Sequence, residues 1–314
     1  VSRLRTAVVG VGYLGRFHAQ KHRALGDVID LVGVCDRDAE RARTVAGEVG
    51  TAAFTDYREL VGKVDAVTIA ATTAEHFALA RFFLERDVHV LVEKPMTRTS
   101  AEAAILTDLA GARGLKLQVG HVERFNPALL AAREQLTTVR FIECHRLAPF
   151  KGRGADVNVI LDVMIHDLDV ILSLVASEPR AVTAVGIPVL MDDIDIANAR
   201  IEFTSGAVAN VTASRVSTTP QRRFRVFQPN QYVSIDFGAG EVRRVTKQGE
   251  WREGGAPPLH EETWNLEKGD ALLAETKAFA DAIIGDKPCI VSGADGVAAL
   301  KLAEMIGADI SRRR

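Results

Sequence analysis

No apolar run in this chain approaches the roughly 18 residues that a membrane-crossing helix needs. Neither sign of charge is in excess: 39 Lys and Arg stand against 41 Asp and Glu, a formal net charge of -2. That balance excludes the broad attraction to nucleic acid or an anionic membrane that a strongly basic chain would have. Cysteine is scarce, and Cys35, Cys144 and Cys289 lie far apart without metal-ligand spacing. Reduced thiols in a cytoplasmic protein, and no metal site, are the expectation. Internal repeats and low-complexity stretches are lacking too. The opening VSRLRTAVVGVG enters a strand-like run at once and does not have the shape of a signal peptide.

What is present is an ordinary globular composition, 47% hydrophobic over 314 residues, long enough for two cores. The first third alternates short apolar runs with helical periodicity. Strands are expected at 5–12, 30–36, 65–71, 89–95 and 116–121, and helices follow the first four of them. Strands this apolar, separated by helices, imply a parallel sheet covered on both faces. Beyond about residue 121 the texture changes to one helix at 126–136, another at 157–176, and a series of strand-like stretches. TSG (204–206) and PN (229–230) suit hairpin turns between them. A loop at 248–262 and two closing helices, near 270–284 and 293–312, complete the pattern. The expected architecture is α/β: a doubly wound Rossmann domain over 1–121, then an α+β domain over 122–314 with a large open, mostly antiparallel sheet. The closing helices are free to pack back on the first domain.

GVGYLG (10–15) fits G-x-G-x-x-G and falls directly after the first strand, where it opens a helix. Gly10 permits the tight turn, Gly12 lets a pyrophosphate approach the backbone, and Gly15 lets the helix pack closely. Tyr13 and Leu14 lie inside the same turn. Asp36 ends the second strand, where a carboxylate accepts hydrogen bonds from adenosine ribose hydroxyls and repels a 2′-phosphate. NAD is therefore expected over NADP, although Arg37 beside it is suited to a 2′-phosphate. Ligands bind beyond the carboxyl ends of parallel strands. That places Ala71, Thr72, Glu93 and Lys94 at the cofactor, with His76 either there or simply in the first turn of its helix. Pro95 fixes the chain as it leaves the sheet.

The second chemical signal is DVMIHDLD (162–169). On a helix, Asp162, His166 and Asp169 fall on one face, while apolar residues cover most of the rest. A polar face on so apolar a helix must meet partners, water or a ligand. Oxidising a secondary alcohol requires removal of the hydroxyl proton as the hydride leaves. His166 is the candidate base, Asp162 either orients that ring or bonds a neighbouring substrate hydroxyl, and Lys94 either donates to the same oxygen or shares the proton transfer.

Together these residues resemble one known family. GVGYLGRFHAQ, the CD ending the second strand, ATTAEH, VEKPM and DVMIHDLD resemble the glucose–fructose oxidoreductase and inositol 2-dehydrogenase family, written Gfo/Idh/MocA. The resemblance implies a dehydrogenase whose catalytic Lys, Asp and His fall on Lys94, Asp162 and His166. It implies homodimers or homotetramers built through the second domain's sheet. The chain departs from the commoner pattern before Asp162 and at Met164, where many relatives carry glycine.

VGHVERFNPAL (119–129) with DVMIHDLDVIL is most similar to a subgroup that oxidises nucleotide sugars such as UDP-N-acetylglucosamine at the 3-hydroxyl. A diphosphate needs cations, and Arg146, Lys151 and Arg153 precede the catalytic helix, unless they are ordinary solvated charges. His121, Arg124 and Asn126 are further candidates for lining the substrate cleft. Two alternatives stay open: a dehydrogenase of a free polyol, sugar or sugar phosphate, and a non-catalytic regulator that senses NAD(P).

Overall fold

The computed structural model describes residues 3–150 and 157–313. They divide into two compact units, one of residues up to Val122 with Asp270–Leu300, the other of Glu123–Gly269 with the residues from Lys301 onward.

The first unit is built on a six-stranded parallel sheet. Its elements are β1 (Leu4–Val9), α1 (Tyr13–Ala24), β2 (Ile29–Cys35), α2 (Ala39–Val49), β3 (Ala52–Phe54), β4 (Ala66–Ile69), α3 (Thr73–Leu84), β5 (His89–Glu93), α4 (Ser100–Ala112) and β6 (Leu117–Gly120). The strand order is β3-β2-β1-β4-β5-β6. Chain direction across the sheet therefore reverses between β1 and β4, and the loops that follow those strands flank the crevice where such sheets bind ligands. Every residue of β4 and β6 is buried, as a strand covered on both faces requires. β3 was not expected from the sequence. It has three residues, two of them exposed alanines, and pairs only along the edge of β2. Asp38 caps α2 by accepting the N–H groups of Glu40 and Arg41, and Gly50 ends that helix at φ 66°. The cap of α4 is Thr99, whose hydroxyl accepts the Glu102 N–H.

The second unit holds α5 (Pro127–Arg133), β7 (Phe141–Leu147) and α6 (Ile165–Val175). It continues with β8 (Pro179–Ile187), β9 (Ile196–Phe203), β10 (Val208–Ser214), β11 (Gln221–Gln228), β12 (Gln231–Asp236), β13 (Glu241–Lys247) and β14 (Leu259–Asn265). The last strand takes up the end of the expected 248–262 loop. The eight strands run in the order β14-β13-β12-β11-β7-β10-β9-β8. All neighbours are antiparallel except β7 and β10. Asn230 at φ 61° makes the β11–β12 turn, and Gly206 at φ 81° the β9–β10 turn. Strict alternation along β7 and β9 puts Ile142, Cys144, Ala199 and Ile201 into one core with Leu168 and Ile171 of α6.

Of the closing helices, α7 (Ala271–Ile284) belongs to the first unit, where Phe279 and Ala280 pack with Leu4, Ile29 and Leu91. The last, α8 (Gly293–Arg313), contributes its residues through Leu300 to the first unit and the rest to the second. Among the described residues no helix is long and apolar enough to cross a membrane.

Candidate active site

The glycine turn has the tight geometry that its sequence demands. Gly10 sits at φ 82°, and a Cβ there would lie 2.6 Å from the Ala71 backbone. A Cβ on Gly15 would lie 1.8 Å from the Gly10 carbonyl oxygen. Both positions are thus closed to any side chain by backbone that cannot yield. Gly12 is different: a Cβ there would meet nothing within 4 Å, so open space lies beside it. Gly12 is also the N-cap of α1 and offers no side chain to the helix's first N–H groups. Open space beside uncapped donors at a helix N-terminus suits a pyrophosphate.

A cavity of about 600 Å³ opens here, lined by Gly10, Gly12, Asp36, Arg37, Ala71 and Thr72. Six sequence-predicted cofactor residues, from three different strand ends, are brought to one cavity. Tyr13 and Leu14 remain exposed on the first turn of α1. Arg41, Tyr57, Arg58 and Glu75 line the same cavity and were not singled out from the sequence. Arg41 was findable: it follows Asp36 by five residues, in the first turn of a helix that Asp38 visibly caps.

Asp36 is 6% exposed and ties the site together. Its Oδ2 accepts the Val11 N–H at 2.9 Å, its Oδ1 accepts the Asp38 N–H at 3.0 Å, and Arg41 Nη1 donates from 3.2 Å. The Arg41 guanidinium also reaches Asp38, so two carboxylates already balance its charge. His76 is 1% exposed, with Nδ1 2.8 Å from the Pro95 carbonyl oxygen and Nε2 3.1 Å from that of Ala71. Its ring lies between the carbonyl oxygens of two strand-end loops.

Glu93 departs from the expected cofactor contact. Its side chain is buried, with Oε1 2.7 Å from His18 Nε2 and Oε2 accepting the Lys94 N–H at 3.1 Å. Burial alone would raise its carboxyl. The hydrogen bond and charge of His18, with the charge and N–H of Lys94, outweigh that and hold it below the usual carboxylate range. The carboxylate is spent within the unit, and the next residue, half-buried Lys94, is the one presented at the end of β5.

In the second unit the helix carrying Asp162 and His166 is not uniform. Asn158 accepts the N–H groups of Ile160 and Leu161, then Ile160–Met164 forms a π turn before α6 begins. The Ile165 N–H reaches back five residues to the Ile160 carbonyl. A wider turn brings residues four apart closer to vertical alignment than an α-helix does, which favours Asp162 and His166 sharing a face. Both side chains are half-buried, whereas Asp167 and Asp169 are buried.

Arg146 is the clearest correction. Instead of lying in a loop facing a diphosphate it is 5% exposed on β7. Its Nε and Nη2 bind both oxygens of Asp167, at 3.0 and 2.7 Å, and its Nη1 binds Glu123 at 2.8 Å. Burial works against its charge, but Asp167 and Glu123 outweigh burial and push the guanidinium further up. Three of its donors are thus committed to these two carboxylates. Arg124 is likewise buried, 3.5 Å from Asp169. Asn126 caps α5 through the Ala128 N–H, so its side chain has a local structural task. His121 is buried at 1% exposure in the first unit. Lys151 and Arg153 lie outside the described residues.

Residues 4–121 match the model of the GFO/IDH/MocA oxidoreductase family, NAD-binding Rossmann fold. Residues 131–230 match the GFO/IDH/MocA C-terminal domain. Over 314 aligned residues, covering 98% of this chain and 99% of the relative, the sequence is 41% identical to the UDP-N-acetylglucosamine 3-dehydrogenase of Acidithiobacillus ferrooxidans. A solved structure of that enzyme superposes with a TM-score of 0.93 at 40% identity, covering 99% of each chain. The inositol 2-dehydrogenase of Rhizobium meliloti is 28% identical over 99% of this chain and 98% of its own length.

Proposed function

The chain is an NAD-dependent oxidoreductase of the Gfo/Idh/MocA family, and from that premise we propose that it oxidises the 3-hydroxyl of UDP-N-acetylglucosamine. The observation that carries this reading is full-length identity of 41% to an enzyme of that activity, against 28% to an inositol dehydrogenase.

Bound NAD would supply the hydride acceptor. The Gly10–Gly15 turn would hold its pyrophosphate, and Asp36 would hold the adenosine ribose. NAD is preferred to NADP because a 2′-phosphate would approach a buried carboxylate, and the neighbouring Arg41 is already neutralised by Asp36 and Asp38. At the reacting carbon, His166 accepts the hydroxyl proton as the hydride departs with its electron pair. Lys94, as ammonium, donates to the same oxygen and stabilises its developing negative charge. Asp162, one turn before His166, orients the imidazole or a neighbouring sugar hydroxyl. Retention of all three residues weighs against a purely regulatory protein.

A second reading, a free polyol or sugar as substrate, is favoured by one observation: Arg146 is committed to Asp167 and Glu123 and leaves the diphosphate one cation fewer. Exposed Val185, Ile187, Val189 and Leu190, on and just after the edge strand β8, support a homo-oligomer formed through the second unit's sheet.

NAD reduction measured with UDP-N-acetylglucosamine, myo-inositol, glucose and glucose 6-phosphate separates the two substrate readings. The expected kcat/KM for the nucleotide sugar exceeds the others by at least about a hundredfold. Turnover of the unsubstituted compounds alone would overturn the nucleotide-sugar assignment.

A further inference from the structure

A row of polar side chains crosses the interior of the first unit, and the mechanism above uses only its end. On α1, His22 and His18 face the sheet one turn apart, both essentially unexposed. His22 lies between the hydroxyls of Thr6 and Thr68, at 2.8 and 2.9 Å, and burial together with the charge of His18 lowers it to about 3, so it is neutral. His18 meets Glu93, and Glu93 meets the Lys94 N–H. Opposite them, on α7, is Glu275.

Glu275 is 0% exposed, and among the described residues neither of its carboxylate oxygens has a hydrogen-bond partner. One of them, a Glu93 oxygen and a His18 nitrogen all lie within 4.8 Å of one another. Two carboxylates this close and this buried cannot both stay ionised beside a single imidazole. Glu93 is the one held as the anion, by His18 and by Lys94. Burial first, then the Glu93 charge, pushes Glu275 well above the usual carboxylate range.

We propose that Glu275 is a positioning residue for Lys94: held as the neutral acid, it donates its proton in a hydrogen bond to Glu93, the carboxylate that anchors the Lys94 backbone. A small rotation of either side chain, or one bridging water, closes the present separation. With His18, Lys94 and Glu275 all donating to it, Glu93 is fixed from three sides, and so is the root of the Lys94 side chain. Among the described residues no other titratable group takes over this task. From α1 the facing groups are His18 and neutral His22, and from β5 they are Glu93 and Lys94. From β6 comes uncharged Gln118, whose Nε2 donates to the Glu275 carbonyl. The charged neighbours on α7 itself pair outward, Asp270 with Lys21 and Lys277 with Asp281.

The proposal rests on Lys94 acting at the substrate, so its test has one arm that does not. A group whose carboxyl is raised by folding stabilises the fold fully below its unfolded value, and that contribution is lost as pH rises toward its folded value. Thermal unfolding of the wild type should therefore lose ground to Glu275→Gln between pH 5 and pH 9, with a gap in Tm that widens steadily. In the second arm, Glu275→Leu lowers kcat at least about tenfold with little change in the KM for NAD, and Glu275→Gln, which keeps a donor, rescues it. A Tm gap that does not move with pH would overturn the neutral-acid assignment. Loss of turnover in Glu275→Gln as deep as in Glu275→Leu would overturn it too, since a cation site or a structural anion needs the charge. A widening gap together with full activity in Glu275→Leu would refute the positioning role while leaving the role of Lys94 to its own test.

Discussion

Lys94→Met is expected to lower kcat by about a thousandfold while leaving NAD binding measurable, since aimed charge stabilisation in a water-poor site is commonly worth that much. The reason lies in where the residue stands. Glu93 ends a strand that is buried from Val90 onward and turns its carboxylate inward, onto His18 and the Lys94 N–H. The backbone at position 94 is thereby tied to Glu93, and in the proposed mechanism the long side chain reaches the alcohol. Met has similar length and no donor, so it preserves packing and removes only the cation. His166→Ala should cost about 10²–10⁴ in kcat, the usual range for a lost general base. Its loss should be partly recovered at high pH, where hydroxide removes the proton instead. Single-turnover kinetics with saturating NAD, beside a separate binding titration, check both. Equal loss of cofactor affinity and turnover would mean that Lys94 serves binding and not the chemical step.

The second large effect is on stability. Arg146→Met should destabilise the protein by about 3–5 kcal/mol, the usual cost of removing one partner from a buried ion pair. Arg146, Glu123 and Asp167 have side chains no more than 7% exposed, and the guanidinium satisfies both acids at once. Its loss strands two carboxylates in a core that includes Leu168 and Ile171. The deficit should shrink as pH falls, because protonation removes the uncompensated charge. Converting the triad completely, with Arg146→Met, Glu123→Gln and Asp167→Asn, should recover much of the loss. Urea unfolding at two pH values measures this. A single variant no less stable than the wild type would show that the network adds nothing to folding.

That network also shows where sequence reasoning stops. The glycine turn, Asp36 and the strand-helix alternation were legible because backbone geometry and strand-end chemistry are encoded locally. Their residues gather around one cavity as the spacing requires. Arg146 was not legible, since a basic residue before an acidic helix reads equally well as a ligand site or as a partner of Asp167. Only the register of β7 decides, turning Arg146 inward on the same alternation that buries Ile142 and Cys144. The π turn at Ile160–Met164 has no periodicity signature of its own, so the segment read as one helix. β3 was too short and too poor in branched residues to stand out. Glu275 did leave a trace: it shares a helix face with Leu272 and Phe279, and a carboxylate on an apolar face asks for a partner.

UDP-N-acetylglucosamine carrying deuterium at C3 probes the reaction most directly. Incubated with the protein and NAD, it should give reduced nicotinamide that contains the deuterium, at a rate below that of the unlabelled sugar. Reduced cofactor without the label, or no reduction at all with this sugar, would contradict hydride transfer from C3.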